Sequence, residues 1–80
     1  MQLTYDPQRN IAYLRLQDKR GAEVETIRIS DAFHVDIAPD GTVYGIELLN
    51  ANEQLGASDH GALVVINEAL GERREIPLAG

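Results

Sequence analysis

The chain has 80 residues, 13 acidic and 7 basic side chains, a net charge of −6 and no cysteine. That length allows one small domain with a modest core, and without cysteine there is no disulfide, thiolate metal site or cysteine nucleophile. The negative balance disfavours nucleic acid, whose phosphates are held by clustered cations, and no apolar run approaches a membrane span.

In chain order, the dominant hydrophobic period is two. Leu3-Thr4-Tyr5 reads as a short strand, and Asp6-Pro7-Gln8-Arg9-Asn10 supplies turn chemistry, with Pro fixing φ and Asp and Asn bonding locally. Ala12, Leu14 and Leu16 alternate with Tyr13, Arg15 and Gln17, so a second strand with one apolar face follows. Gln17 to Gly21 is charged and ends in glycine, hence a loop. Val24 to Ile29 alternates again, Ser30-Asp31 interrupts, and Phe33, Val35 and Ile37 resume opposite His34 and Asp36. A further strand spans Thr42 to Leu49, with Tyr44, Ile46 and Leu48 on one face. Asn50 with Glu53 three residues on fits a capping box, and Gly56 fits a stop, so one short helical turn is expected. Beyond a polar loop at Ser58 to Gly61, the β-branched Ala62 to Ile66 predicts a buried strand, and Arg73 to Leu78 a last one that Pro77 keeps off a central position.

The expected fold is therefore mainly β: an antiparallel meander of six to seven short strands with one or two short helical turns, forming a single domain over residues 1–80. Its C-terminal strand pair lies at 62–78. Such a sheet leaves apolar surface uncovered, and a homodimer is the expected remedy. No charged segment followed by an apolar stretch opens the chain, so a cytoplasmic protein is expected.

One segment carries two readings. In Asp36-Ile37-Ala38-Pro39-Asp40-Gly41-Thr42-Val43-Tyr44-Gly45-Ile46-Glu47, the residues Asp36, Asp40, Gly41 and Glu47 match ligand positions 1 and 5, the turn glycine and the closing Glu of an EF-hand loop. Against this, Ala38 stands where a third oxygen ligand belongs, and the preceding segment alternates as a strand instead of forming a helix. Pro39-Asp40-Gly41 is the recipe for a hairpin turn with a glycine bulge, which explains more of the pattern. No metal is expected. Gly45, inside a strand, marks a bulge or a close backbone approach.

Candidate site residues are few. Ser58-Asp59-His60 lists the side chains of a triad, yet triads are assembled by the fold and not by three consecutive loop residues. His34 and Asp36 share a strand face, which is expected to be solvated. Glu47 stands in an apolar strand, with two readings open: an exposed position, or a cross-strand ion pair with Arg15 or Arg28. These three, Glu47, Asp36 and His34, are the candidate binding residues; Pro39, Asp40, Gly41 and Gly45 are structural. No cofactor and no catalytic set are expected.

Tyr5-Asp6-Pro7, Ile11 to Leu16, Val35-Asp36-Ile37 and Asp40-Gly41-Thr42-Val43-Tyr44-Gly45-Ile46-Glu47-Leu48-Leu49-Asn50-Ala51 together resemble the small prokaryotic family called domain of unknown function 2283, over residues 1–52. The turn glycine followed by Gly-Ile-Glu is the specific part. The resemblance implies a β-rich domain with no assigned activity. Some members look like one half of paired small genes, beside compact proteins similar to RelE-type toxins, which implies an antitoxin-like or chaperone-like role; the acidic charge agrees with a small basic protein as partner. The expected function is thus a non-enzymatic protein-interaction module. The alternative is a small ligand- or metal-binding protein or hydrolase using Glu47, Asp36 and His34.

Overall fold

The structure, a computed structural model, describes residues 1–56 and 61–78, so the Ser58-Asp59-His60 stretch lies outside the described residues. The described residues form seven strands and one helix: β1 Gln2–Asp6, β2 Ile11–Arg15, β3 Glu25–Ser30, β4 Phe33–Ile37, β5 Val43–Leu49, α1 Ala51–Gly56, β6 Ala62–Asn67 and β7 Glu72–Pro77. Five strands make an antiparallel sheet in the order β1-β2-β5-β4-β3, and β6 and β7 make a separate hairpin. Within the sheet β3, β4 and β5 run as a meander, and the β1–β2 hairpin adds to the other side of β5. The mainly antiparallel β fold read from the period-two alternation is the one found.

The turns follow from local chemistry. Asp6 Oδ1 accepts the amides of Gln8 and Arg9, and Asn10 closes the loop at φ 60°, a left-handed position that Asn tolerates. Between β4 and β5, Gly41 donates to the Ala38 carbonyl and Ala38 to the Thr42 carbonyl, each at 2.9 Å, while Gly41 sits at φ 91°. That is the turn with a glycine bulge expected of Pro39-Asp40-Gly41. Asp40 Oδ1 accepts the Thr42 amide at 2.9 Å, and this bond lowers the Asp40 carboxyl below its usual value.

Cross-strand register sorts the side chains into two faces, because directly opposite residues point the same way. One row reads Leu3, Leu14, Ile46, Val35, Ile27 and the next Tyr5, Ala12, Leu48, Phe33. The reverse face carries Thr4, Tyr13, Glu47, His34, Arg28 in one row and Gln2, Arg15, Gly45, Asp36, Thr26 in the other. Tyr44 is left unopposed, since Ile37 pairs with Val43 and Asp36 with Gly45. It forms a bulge, and its carbonyl accepts the amides of Leu16 and Gln17, steering the chain out of β2.

The helix is held by a distant loop and not by the expected capping box. Asn50 sits at φ 55°, unlike the extended backbone of a capping residue, and Glu53 accepts the Asn10 side-chain amide at 3.3 Å. Asn10 Oδ1 in turn accepts the Asn52 amide at 2.6 Å, so the β1–β2 turn caps α1. Asn52 returns two bonds, accepting Tyr5 Oη–H at 2.5 Å and donating to the Pro7 carbonyl at 3.0 Å. Gln54 Nε2 bridges the Leu49 and Ala32 carbonyls.

Little of the apolar surface is sealed. Among the described residues only Ala12 and Ala51 are buried apolar side chains, at 1% and 0% exposure, and no large side chain is fully enclosed. The β6–β7 hairpin faces the apolar side of the sheet across a cleft of about 640 Å³, with Leu14, Ile46 and Leu48 on one wall and Leu63, Val65 and Ile76 on the other. Val65 and Ile76 stay about half exposed.

Candidate functional site

The polar face of the sheet carries the one buried charge among the described residues. Asp36, 8% exposed, faces Gly45 on β5 and Thr26 on β3. Its Oδ1 accepts Thr26 Oγ1–H at 2.6 Å, and its Oδ2 accepts Tyr13 Oη–H at 2.6 Å and Lys19 Nζ at 2.8 Å. Tyr13 reaches Asp36 diagonally from β2, passing over β5 at Gly45. A methyl group there would overlap the phenol ring, which is why this strand position holds glycine. Lys19 comes from the loop after β2, and its ammonium lies 4.8 Å from the centre of the Tyr13 ring, a cation–π contact added to the ion pair.

These contacts fix the protonation states. Burial pushes the Asp36 carboxyl up, but the bonds from Lys19, Thr26 and Tyr13 outweigh it and bring the group down to about 2. Burial and the bond to Asp36 raise the Tyr13 phenol, keeping it a donor, and the bonds to Asp36 and Tyr13 raise the Lys19 ammonium. Asp36 is thus a locked carboxylate at neutral pH. It has no proton to give as a general acid, and a carboxylate this weakly basic is a poor general base.

Glu47 lies next along the same face, between Tyr13 and His34. Its Oε1 is 3.3 Å from His34 Nδ1, so its partner is His34 and not Arg15 or Arg28 as its strand neighbourhood suggested. The register explains the change: Arg15 stands opposite Gly45, and Arg28 pairs with Asp31 at the β3–β4 turn. Tyr13, Lys19, Thr26, Asp36 and Glu47 line a pocket of about 450 Å³. His34 and Asp36 do share a face, which is in large part exposed as expected, but Asp36 itself is covered by Lys19 and Tyr13. Asp40 lies apart in its turn, so Asp36, Asp40 and Glu47 form no calcium cage, and no three His, Asp or Glu residues among the described ones are grouped to hold a metal ion. Nor is any described helix long and apolar enough to cross a membrane.

Tyr13, Lys19 and Thr26 were not singled out by the sequence. Tyr13 and Thr26 occupy polar-face positions of their strands, and glycine at 45 did signal that something approaches. Nothing local marks Lys19.

A family model described as a protein of unknown function (DUF2283) matches residues 2–52. The chain belongs to the DUF2283 family. Comparison with curated proteins and with solved structures gives no match. The DUF2283 match spans the five-stranded sheet and ends at Asn52, the residue that ties α1 to Tyr5 and Pro7. Both the Asp36 cluster and Glu47 lie inside the DUF2283 region, and the β6–β7 hairpin lies beyond it.

Proposed function

We propose that the chain is a non-enzymatic protein-interaction module that works as a homodimer, joined through the apolar cleft, and engages a small basic protein in an antitoxin-like manner. The carrying observation is surplus surface. The 8.8-kDa chain exposes 6038 Å², whereas a compact monomer of that mass exposes about 4,800 Å². Its radius of gyration is 14.1 Å, against about 11.6 Å for a compact domain of this length. The excess of roughly 1,200 Å² exceeds the ~800 Å² that each partner buries in a standard interface.

The occupant of the cleft is a second copy. The cleft walls carry no charged side chain, so two copies meet there without burying a carboxylate, although each bears a net charge of −6. A basic protein finds no counter-charge in that cleft and is better met by the acidic remainder of the surface. Sedimentation velocity across a concentration series tests the dimer: the expected result is a dimer at micromolar concentration, and a monomer throughout would remove the reading. Co-expression with the product of a neighbouring gene tests the partner, the expected outcome being a complex that dissociates as salt rises.

A further inference from the structure

We propose that the pocket between Tyr13 and Glu47 on the polar face is a binding site for an organic cation, an alkylguanidinium or alkylammonium group. The proposal rests on the reading of a module that meets a basic partner, and it states where the positive charge enters. Space is available, since the pocket holds about 450 Å³ and is lined by Tyr13, Lys19, Thr26, Asp36 and Glu47. Its charges do not cancel. Lys19 neutralises Asp36 at 2.8 Å, whereas Glu47 has no Lys or Arg in ion-pair range among the described residues and meets only His34, at 3.3 Å.

The pocket also displays its own manner of holding a cation. The Lys19 ammonium sits between the Asp36 carboxylate and the face of the Tyr13 ring. Tyr13 stands directly opposite Glu47 on the neighbouring strand, so a second carboxylate flanks the same aromatic side chain. A cation entering there is offered the chemistry that Lys19 already uses, a carboxylate beside an aromatic face. Glu47 presents Oε1 to His34, and a carboxylate has a second oxygen that can accept an incoming N–H.

The test is an NMR titration of the full chain with methylguanidinium, using neutral N-methylurea of nearly the same shape as control. The expected result is saturable shifts at Tyr13, Thr26 and Glu47 with methylguanidinium alone, at a Kd on the order of millimolar for so small a ligand. Glu47→Gln, which keeps the shape and can still meet His34, is expected to weaken binding about 10-fold or more. Lys19→Gln removes the resident cation, frees the Asp36 charge and is expected to strengthen it. No saturation by about 50 mM, equal shifts with N-methylurea, an unaffected Glu47→Gln or weaker binding by Lys19→Gln would each overturn the proposal. An arginine-containing tripeptide run alongside separates the sources: tighter binding than methylguanidinium assigns the cation to a polypeptide, equal binding to a free small molecule. The oligomeric state is read independently by sedimentation, so failure of this site and failure of the dimer are distinguishable.

Discussion

Gly45 is small because Tyr13 crosses it to reach Asp36, and two consequences follow at the scale of single residues. Gly45→Ala is expected to cost about 1–3 kcal/mol by overpacking. In a Tyr13→Val background, where the ring is gone, the same change is expected to cost less than about 0.5 kcal/mol, so the double-mutant cycle isolates the clash. Urea unfolding of the four proteins measures both. Asp36 gives the second consequence. Its folded value of about 2 lies below the ordinary 3.8, so the folded chain favours the ionised form. That stabilisation is fully present above about pH 5 and fades as pH falls through 3.8 towards 2, where the folded chain takes up the proton as well. Its size is roughly 1–2 kcal/mol, once screening through the half-exposed Lys19 is allowed for. Asp36→Asn removes the titration, so the stability gap between wild type and variant is expected to narrow as the pH drops from 5 to 2 (about the range set by the two protonation states). A gap that stays constant across that range would count against the assignment.

At the scale of elements, one turn holds another element in place. Asn10 ends the β1–β2 turn at φ 60° and caps α1 through the Asn52 amide. Asn10→Gly relieves the backbone but loses the cap, Asn10→Ala loses the cap and adds strain, and Asn10→Asp keeps an acceptor oxygen. The expected order of destabilisation is Ala, then Gly, then Asp, with the Ala variant near 2 kcal/mol. Thermal unfolding of the three variants checks the order. The strands and the Pro39-Asp40-Gly41 turn were legible in the sequence because alternation and turn chemistry are local signals. The cap was not, since Asn50 and Glu53 satisfy the capping pattern on paper, while the acceptor that wins comes from 42 residues away. The site was legible only in part, in Asp36, Glu47 and the strand glycine at 45, and its other members were hidden for the same reason. Tyr13, Thr26 and Asp36 lie on β2, β3 and β4, and they converge only through the order β1-β2-β5-β4-β3, which no local pattern sets.

At the scale of the whole molecule, the apolar cleft decides how the chain behaves in solution. Its walls belong to two bodies of different standing: the sheet inside the family region and the hairpin beyond it. The hairpin contributes Leu63, Val65 and Ile76, yet no large side chain is sealed beneath it. Val65 separates the alternatives. It is 52% exposed, so in an isolated chain Val65→Asp places a carboxylate where water already reaches and changes stability little. In a dimer joined through the cleft, the same carboxylate must be buried against the partner's apolar side chains, at a cost of several kcal/mol. Val65→Asp is therefore expected to weaken dimerisation about 100-fold or more. Sedimentation velocity would then show monomer at concentrations where wild type is dimeric. Thermal unfolding adds a second readout, because the wild-type midpoint should rise with concentration while that of the variant stays flat. If the variant sediments as wild type does, the cleft is not the interface, and the surplus surface must be covered by something other than a second copy.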